Sequence, residues 1–343
     1  MVQMQQKVTN LIAPGVRALL RCDGFDVQRC RRSGKRVVMT RAKTVRSRRR
    51  PWPILAMAWM IGALAAADPL PQDPLQRQCW LQHTAERTEV DLREPTLVSF
   101  SNLKSGMTVR SPFWVEFGIR GMGVIPAGNA RERAGHHHLL VDAPLPIQHD
   151  AKIPFSDTHR HFGKAQTGTT LDLPPGRHTL RLLFADHEHR PYFVYSPEIV
   201  VNVSGRRVAQ PGMTIDAEHF EATCHAWYED QVSTPRTATK EVYVKNLRDG
   251  ESVTSPFELS FGVIGLGVAP AGTTIEDTGH FVLRVTRGGV PVSSIDLADG
   301  RTETLLDLPR GEYVLELIFA DAEGTPLLKG EPLRVPVMTR NPL

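Results

Sequence analysis

Nine of the chain's 13 histidines fall between His136 and His189. They form a triplet in GHHHLLVD, a lone His149, the pair His159 and His161, a single His178, and the pair His187 and His189. Imidazole is the commonest protein ligand for zinc, copper and nickel. On an extended strand, residues i and i+2 point the same way, so each His-x-His can offer two nitrogens to one ion. The candidate metal ligands are therefore His136, His138, His159, His161, His187 and His189, and the ion expected is copper or zinc. All-imidazole donors suit Cu(II) and Zn(II), whereas a Cu(I) site calls for thioether or thiolate. Met107 and Met122 are the nearest methionines and make no Met-x-Met pattern.

Other residues stand one step back from the ion. His137 is in phase with Leu139 and Val141, and reads as either a core residue or a ligand. His178 is in phase with Leu180, Leu182 and Phe184, and reads as either a ligand or a ring bonded to backbone. Asp142, Asp186 and Gln166 could each orient an imidazole through its other nitrogen.

The chain repeats itself, and the repeat serves as an internal control. SPFWVEFGIRGMGVIPAG, from Ser111, matches SPFELSFGVIGLGVAPAG, from Ser255, at an offset of 144. LDLPPGRHTLRLLFAD, from Leu171, matches LDLPRGEYVLELIFAD, from Leu306, at an offset of 135. The first copy thus has about nine extra residues between the blocks. His136 is matched by His280 and Asp186 by Asp321. His137, His138 and His178 face Phe281, Val282 and Tyr313, and His187 and His189 face Ala322 and Gly324. The stretch around His159 and His161 has no sequence counterpart. What both copies share reads as scaffold, and what only the first carries reads as function.

The ends have a different character. Residues 1–50 hold 14 Lys and Arg against 2 Asp and Glu, while the remainder holds 27 against 35. The basic balance therefore belongs to the first 50 residues. After Arg48-Arg49-Arg50 comes an apolar run from Ile54 ending in Ala65-Ala66-Ala67, the pattern of a secretory leader. That run is about 14 residues, shorter than the roughly 20 of a membrane span. Met39 is read as the start, with a doubtful basic extension before it. Cysteines after the leader reduce to Cys79 and Cys224, at matching points of the two copies, and in an oxidising compartment they read as one disulfide.

Short runs rich in β-branched and aromatic residues alternate with Gly and Pro turns, and no window shows a sustained helical period. The fold expected is all-β, two tandem immunoglobulin-like antiparallel β-sandwich domains. Residues 1–50 are the extension and leader n-region, 51–67 the apolar and cleavage region, 68–203 the His-rich sandwich, 204–218 a linker, and 219–343 a degenerate second sandwich. The blocks GHHHLLVD, HRHFGKAQT and LPPGRHTLRLLFADHEHRP resemble the bacterial secreted family known as domain of unknown function 4399. The resemblance spans about Leu97 to Val203. It implies an exported β-rich domain and brings no activity with it.

The first reading of function is an exported, periplasmic metal-binding protein engaged in metal handling, a binder rather than an enzyme, with another envelope protein as a further partner. The alternatives are a metal-dependent oxidoreductase of the envelope and a binding or structural module without metal. No G-x-S-x-G, P-loop, C-x-x-C-H or Cys–His nucleophile arrangement is present. The acidic remainder excludes nucleic acid as a natural partner, and no membrane span is expected after the leader. Mass-spectrometric reading of the native N-terminus should find a chain beginning near Asp68. A cytoplasmic chain that begins before Arg48 would overturn the assignment of export.

Overall fold

The computed structural model describes residues 68–90, 97–145, 151–208 and 213–339. The basic extension, the leader, Cys22, Cys30 and His149 lie outside the described residues.

The first copy contains α1 (Pro74–Gln82), α2 (Thr84–Arg87), β1 (Leu97–Phe100), β2 (Thr108–Ser111), β3 (Phe113–Arg120), β4 (Gly123–Val124) and β5 (Ala134–Val141). It continues with β6 (His159–His161), β7 (Gly168–Leu171), β8 (Gly176–Ala185), β9 (Pro191–Tyr195) and β10 (Ile199–Arg206). The second copy contains α3 (Phe220–Val232), β11 (Glu241–Val244), β12 (Val253–Ser255), β13 (Phe257–Ile264), β14 (Gly267–Val268) and β15 (Thr278–Arg287). It ends with β16 (Val290–Asp296), β17 (Glu303–Leu306), β18 (Gly311–Ala320), β19 (Pro326–Lys329) and β20 (Leu333–Thr339).

Each copy is a two-sheet sandwich. In the first, a sheet of order β1-β3-β7 packs on one of order β2-β10-β8-β5-β4, with β6 added to β5 and β9 to β8. The second repeats this strand for strand, with β11-β13-β17 against β12-β20-β18-β15-β14, β16 on β15 and β19 on β18. Alternation explains the core. Phe113, Val115 and Phe117 of β3 and Leu180, Leu182 and Phe184 of β8 are fully buried between the sheets, as are Phe257, Leu259, Phe261 and Phe319 in the second copy. Pairing is mostly antiparallel, but β2 joins β10, β4 joins β5, β12 joins β20 and β14 joins β15 in parallel. β10 continues to Arg206, inside the stretch read as linker, and holds Arg110 and Ser111 of β2 through Gly205 and Arg206.

The helices are a departure from the all-β expectation. Asp73 caps α1 by accepting from the Gln76 amide at 2.9 Å, and Pro74 supplies the fixed first-turn geometry. α3 buries Cys224, Trp227 and Tyr228 along one face. Each helical segment packs on the sandwich of the other copy. Glu251 in the second copy, wholly buried, receives Trp80 Nε1 at 3.0 Å together with Thr84 Oγ1 and Arg87. Reciprocally, Glu229 of α3 accepts the Thr108 amide at 3.0 Å, and Asp230 binds Arg110 in a two-pronged ion pair.

Backbone bonds show the same exchange. The Trp114 amide donates to Ser233 and the Glu258 amide to Thr88. Asn102 Nδ2 donates to the carbonyls of Trp114 and Val232, and Asn246 Nδ2 to those of Glu258 and Arg87. The Val124 amide reaches Gly300 while the Val268 amide reaches Ala165.

Cys79 on α1 and Cys224 on α3 form a disulfide, which therefore joins the two exchanged helices. It closes a loop of 145 residues, for which chain entropy gives about 4–5 kcal/mol. Paired substitution by serine should lower the unfolding free energy by up to that amount in urea titrations. An unchanged midpoint would show that the exchanged helices hold without the bond.

Candidate metal centre

β5 is the middle strand of the site. His137, Leu139 and Val141 point into the sandwich, whereas His136, His138 and Leu140 point to the outer face, each stacked over its register partner on β8: Ala185, Leu183 and Arg181. A sheet face would normally carry solvated side chains here. Instead His136 and His138 have no exposed surface; Phe155 of the extra residues lies against His138, whereas His280, the counterpart of His136, is buried without them. Ile153 of that insertion is buried with Leu140, Leu183 and Ala185, and its amide donates to the His189 carbonyl at 2.9 Å.

β6 adds the third ligand candidate. His161 pairs with His138 across the β5–β6 register, and His136, His138 and His161 bring one nitrogen each within 4.8 Å of one another. Nε2 of His136 and Nε2 of His138 are 3.1 Å apart. Two nitrogens on one zinc at about 2.0–2.1 Å would sit roughly 3.3 Å apart in a tetrahedron, so the donor set fits such an ion. Nδ1 of His136, Nδ1 of His138 and Nε2 of His161 have no hydrogen-bond partner. An unpaired buried polar atom costs about 1–3 kcal/mol, which coordination would relieve at His161. Gly163 makes room for the ring of His161, since a Cβ there would collide with it.

His189 closes the cluster, with its ring centroid 4.8 Å from that of His161 and 5.1 Å from that of His136. It has φ of 69°, a left-handed conformation, in a turn whose counterpart is Gly324 at 85°. The turns are otherwise the same. Asp186 accepts the amides of Glu188 and Arg190, and Asp321 accepts those of Glu323 and Thr325. The first copy has thus placed an imidazole where the turn suits glycine. Phe155, 59% exposed, stacks on His161 at 4.5 Å and forms the outer wall.

Several expected ligands lie elsewhere. His159 shares the outer face but sits one step along β6, opposite Leu140, with Nδ1 held by Ser156 and Thr158. His187 lies in the tight turn rather than on a strand, so it does not project with His189, and the cluster forms without it. His178 is a corner residue. Its Nε2 donates to the Pro174 carbonyl at 2.9 Å, as the Tyr313 hydroxyl donates to Pro309, and Nδ1 pairs with Asp142 at 2.7 Å. Asp142 therefore orients His178 and no cluster imidazole. Asp186 is occupied by its turn, and Gln166 accepts the Lys164 amide in a loop. His137 is a core residue between Phe117 and Phe184, in the place of Phe281.

Neither Phe155 nor Ile153 was singled out from sequence, although the nine-residue insertion marked where they fall. The second copy does have a strand matching β6. Asp296 of β16 pairs with Val282 as His161 pairs with His138, and binds His280 Nε2 at 3.1 Å. A histidine–carboxylate contact thus stands where the first copy gathers imidazoles.

The site defines an outer-face histidine cluster on the first of two tandem sandwiches. The family model described as Domain of unknown function (DUF4399) matches residues 115–204 and 259–338. The chain carries this family's domain twice. No curated protein matches it in sequence. Among solved structures, it is similar to the fibronectin(III)-like modules of Clostridium thermocellum CbhA at 10% identity, covering 71% of this chain and 95% of that one, with a TM-score of 0.20. It is also similar to a two-domain fibronectin type-III segment of chicken tenascin at 12% identity, covering 70% and 97%, with a TM-score of 0.17.

Burial holds the rings neutral. Desolvation pulls His136 and His137 down to about 3 and His138 to about 2. In the unfolded chain such rings protonate near 6.5. Their contribution to stability is therefore complete above about pH 6.5 and is lost as pH falls toward 3, at about 1.4 kcal/mol per pH unit for each proton. His178 acts in the opposite sense. Burial alone would lower it, but its bonds to Asp142 and Pro174 outweigh that and raise it, so its contribution fades as pH rises through its folded value. Urea midpoints of metal-free protein should fall between pH 7.5 and pH 5, and less steeply in His137→Phe. A level profile would contradict the burial of neutral rings.

Proposed function

We propose that the chain is an exported metal-binding protein whose first copy holds one Cu(II) or Zn(II) ion through His136, His138 and His161, with His189 as the fourth candidate ligand. The observation that carries this reading is the convergence of three imidazoles, two of which the second copy lacks, with one nitrogen each within 4.8 Å of one another. Export is supported by the leader pattern before Asp68 and by the disulfide. No described helix is long and apolar enough to cross a membrane. When bound, the ion would lie between Nε2 of His136 and Nε2 of His138 and would take up the otherwise unpaired Nε2 of His161. Phe155 and Ile153 would limit water at the site, and β5, β6 and the turn at Asp186 would fix the ring positions. The role these features favour is metal handling.

Isolated sandwiches are unsuitable for the test, because each would lose the helix supplied by the other copy. The whole, untagged, metal-free chain should bind one ion in calorimetric titration with Cu(II) or Zn(II). His136→Ala, His138→Ala and His161→Ala should each weaken binding by more than the roughly 10–100-fold typical of losing an outer partner of a ligand. His159→Ala and His187→Ala should leave it nearly unchanged. His189→Gly should weaken metal binding while raising the stability of the metal-free fold by about 1 kcal/mol, since glycine suits the left-handed turn. Stoichiometry that survives the loss of His136, His138 and His161 together would refute the site.

A further inference from the structure

A second group of ligand atoms lies where the exchanged helices meet, and it shares no residue with the histidine cluster. Cys79 lies on α1 and His83 is its C-cap, four residues on, a spacing that brings two side chains to one helix face. Cys224 of α3 meets them there. The two sulfurs and one ring nitrogen of His83 all lie within 4.8 Å of one another. Gln82 Oε1 adds an oxygen 3.7 Å from Cys224 Sγ. The His83 ring stacks on Tyr228 with centroids 3.8 Å apart, and its Nδ1 faces Glu86 Oε2 at 3.5 Å. Its position is thus fixed by neighbours other than the sulfurs.

The disulfide is not the only contact that holds these groups together. Trp80 and Arg87 seat the first helical segment on Glu251. Glu229 and Asp230 seat α3 on the Thr108 amide and on Arg110. As free thiols, Cys79 and Cys224 would remain side by side and buried, with Cα atoms 5.5 Å apart. Two thiolates on one zinc at about 2.3 Å sit roughly 3.8 Å apart in a tetrahedron, a spread that side-chain rotation supplies. Charge selects the ion. Two thiolates neutralise a divalent ion and a neutral imidazole adds nothing, whereas Cu(I) would leave a net negative charge in the interior.

We propose that Cys79, Cys224 and His83 form a redox-gated zinc site, closed as the disulfide and opened to one Zn(II) when a dithiol reduces that bond. The dithiol gives up two electrons and two protons. Its own sulfurs join, the Sγ–Sγ bond breaks, and Cys79 and Cys224 become thiols. Zn(II) then displaces the two thiol protons and takes His83 as its third ligand, leaving a fourth position to water or to Gln82. The ion would exchange a covalent clasp between the two copies for a coordinate one.

Absorption titration with Co(II), a stand-in for zinc, tests this, because the thiolate-to-cobalt band reads sulfur ligands and is blind to an ion held by imidazoles alone. The whole chain carrying Cys22→Ser and Cys30→Ser would be reduced with a small dithiol, which is then removed without air. A saturable thiolate band is expected, bleached by Zn(II), with the oxidised chain silent. Replacing Cys79 and Cys224 together by serine should abolish the band. His83→Phe keeps a ring on Tyr228 and should weaken Co(II) binding by about tenfold or more, at least the effect of losing an outer partner of a ligand. Circular dichroism follows the fold throughout. A chain that unfolds on reduction, a folded reduced chain without the band, the same band in the oxidised chain, or unchanged affinity in His83→Phe would each overturn the proposal.

Discussion

The reciprocal seating of each helical segment on the opposite sandwich is the constraint from which the rest follows. A two-sheet sandwich of this size leaves amides at the start of its central strand without a partner in its own sheet. Here the Trp114 amide is satisfied by Ser233 and the Glu258 amide by Thr88, each from the other copy. Buried backbone groups must be paired, so neither sandwich is complete alone. Glu251 and Asp230 add desolvated charge pairs at the same seams, which would be destabilising if either partner left. The disulfide then joins the two helices directly.

On that shared frame the two copies differ mainly on one outer face. In the second copy the face ends in a simple hairpin and a His280–Asp296 pair. In the first, the hairpin is opened by an insertion beside two buried neutral imidazoles, and a glycine turn has become a strained histidine turn. Each change destabilises the fold when taken alone: unpaired ring nitrogens, a left-handed non-glycine residue, a bulky ring beside Gly163. Their coincidence in a space a few ångströms across is the argument that the cluster serves a purpose beyond packing.

The sandwich was legible because β-strands announce themselves by alternation, and because the internal repeat doubled every signal. The repeat also sorted His137 and His178, whose partners Phe281 and Tyr313 occupy a core and a corner position. Spacing alone does not separate His159 and His187 from the cluster, which the structure gathers without them. The rule that i and i+2 share a face holds only on a strand, and His187 is in a turn. Even on β6 it does not bring both rings to one point. His189 is legible from the pair His187 and His189, and its alignment with Gly324 adds a reason, since it marks a position where only a specific need would retain a side chain. The exchange of helices had a faint trace in Phe220, Cys224 and Trp227, which recur at helical spacing. Which sandwich the helix would cover depends on tertiary contacts no local pattern encodes.

Exchange of this kind is the arrangement of a domain-swapped pair written into one polypeptide. In a pair made of identical subunits, every residue occurs twice, and a cluster of buried imidazoles would weaken both halves. Fusion removes that symmetry. One half can keep an ordinary hairpin with a histidine–carboxylate contact and lend its stability to the other through the crossed helices, while the other carries the strained and desolvated face. A proteolytic cut between the copies would therefore not release two independent domains. The fragments would remain clasped by their helices and the Cys79–Cys224 bond, with the burdened half still leaning on its sound twin.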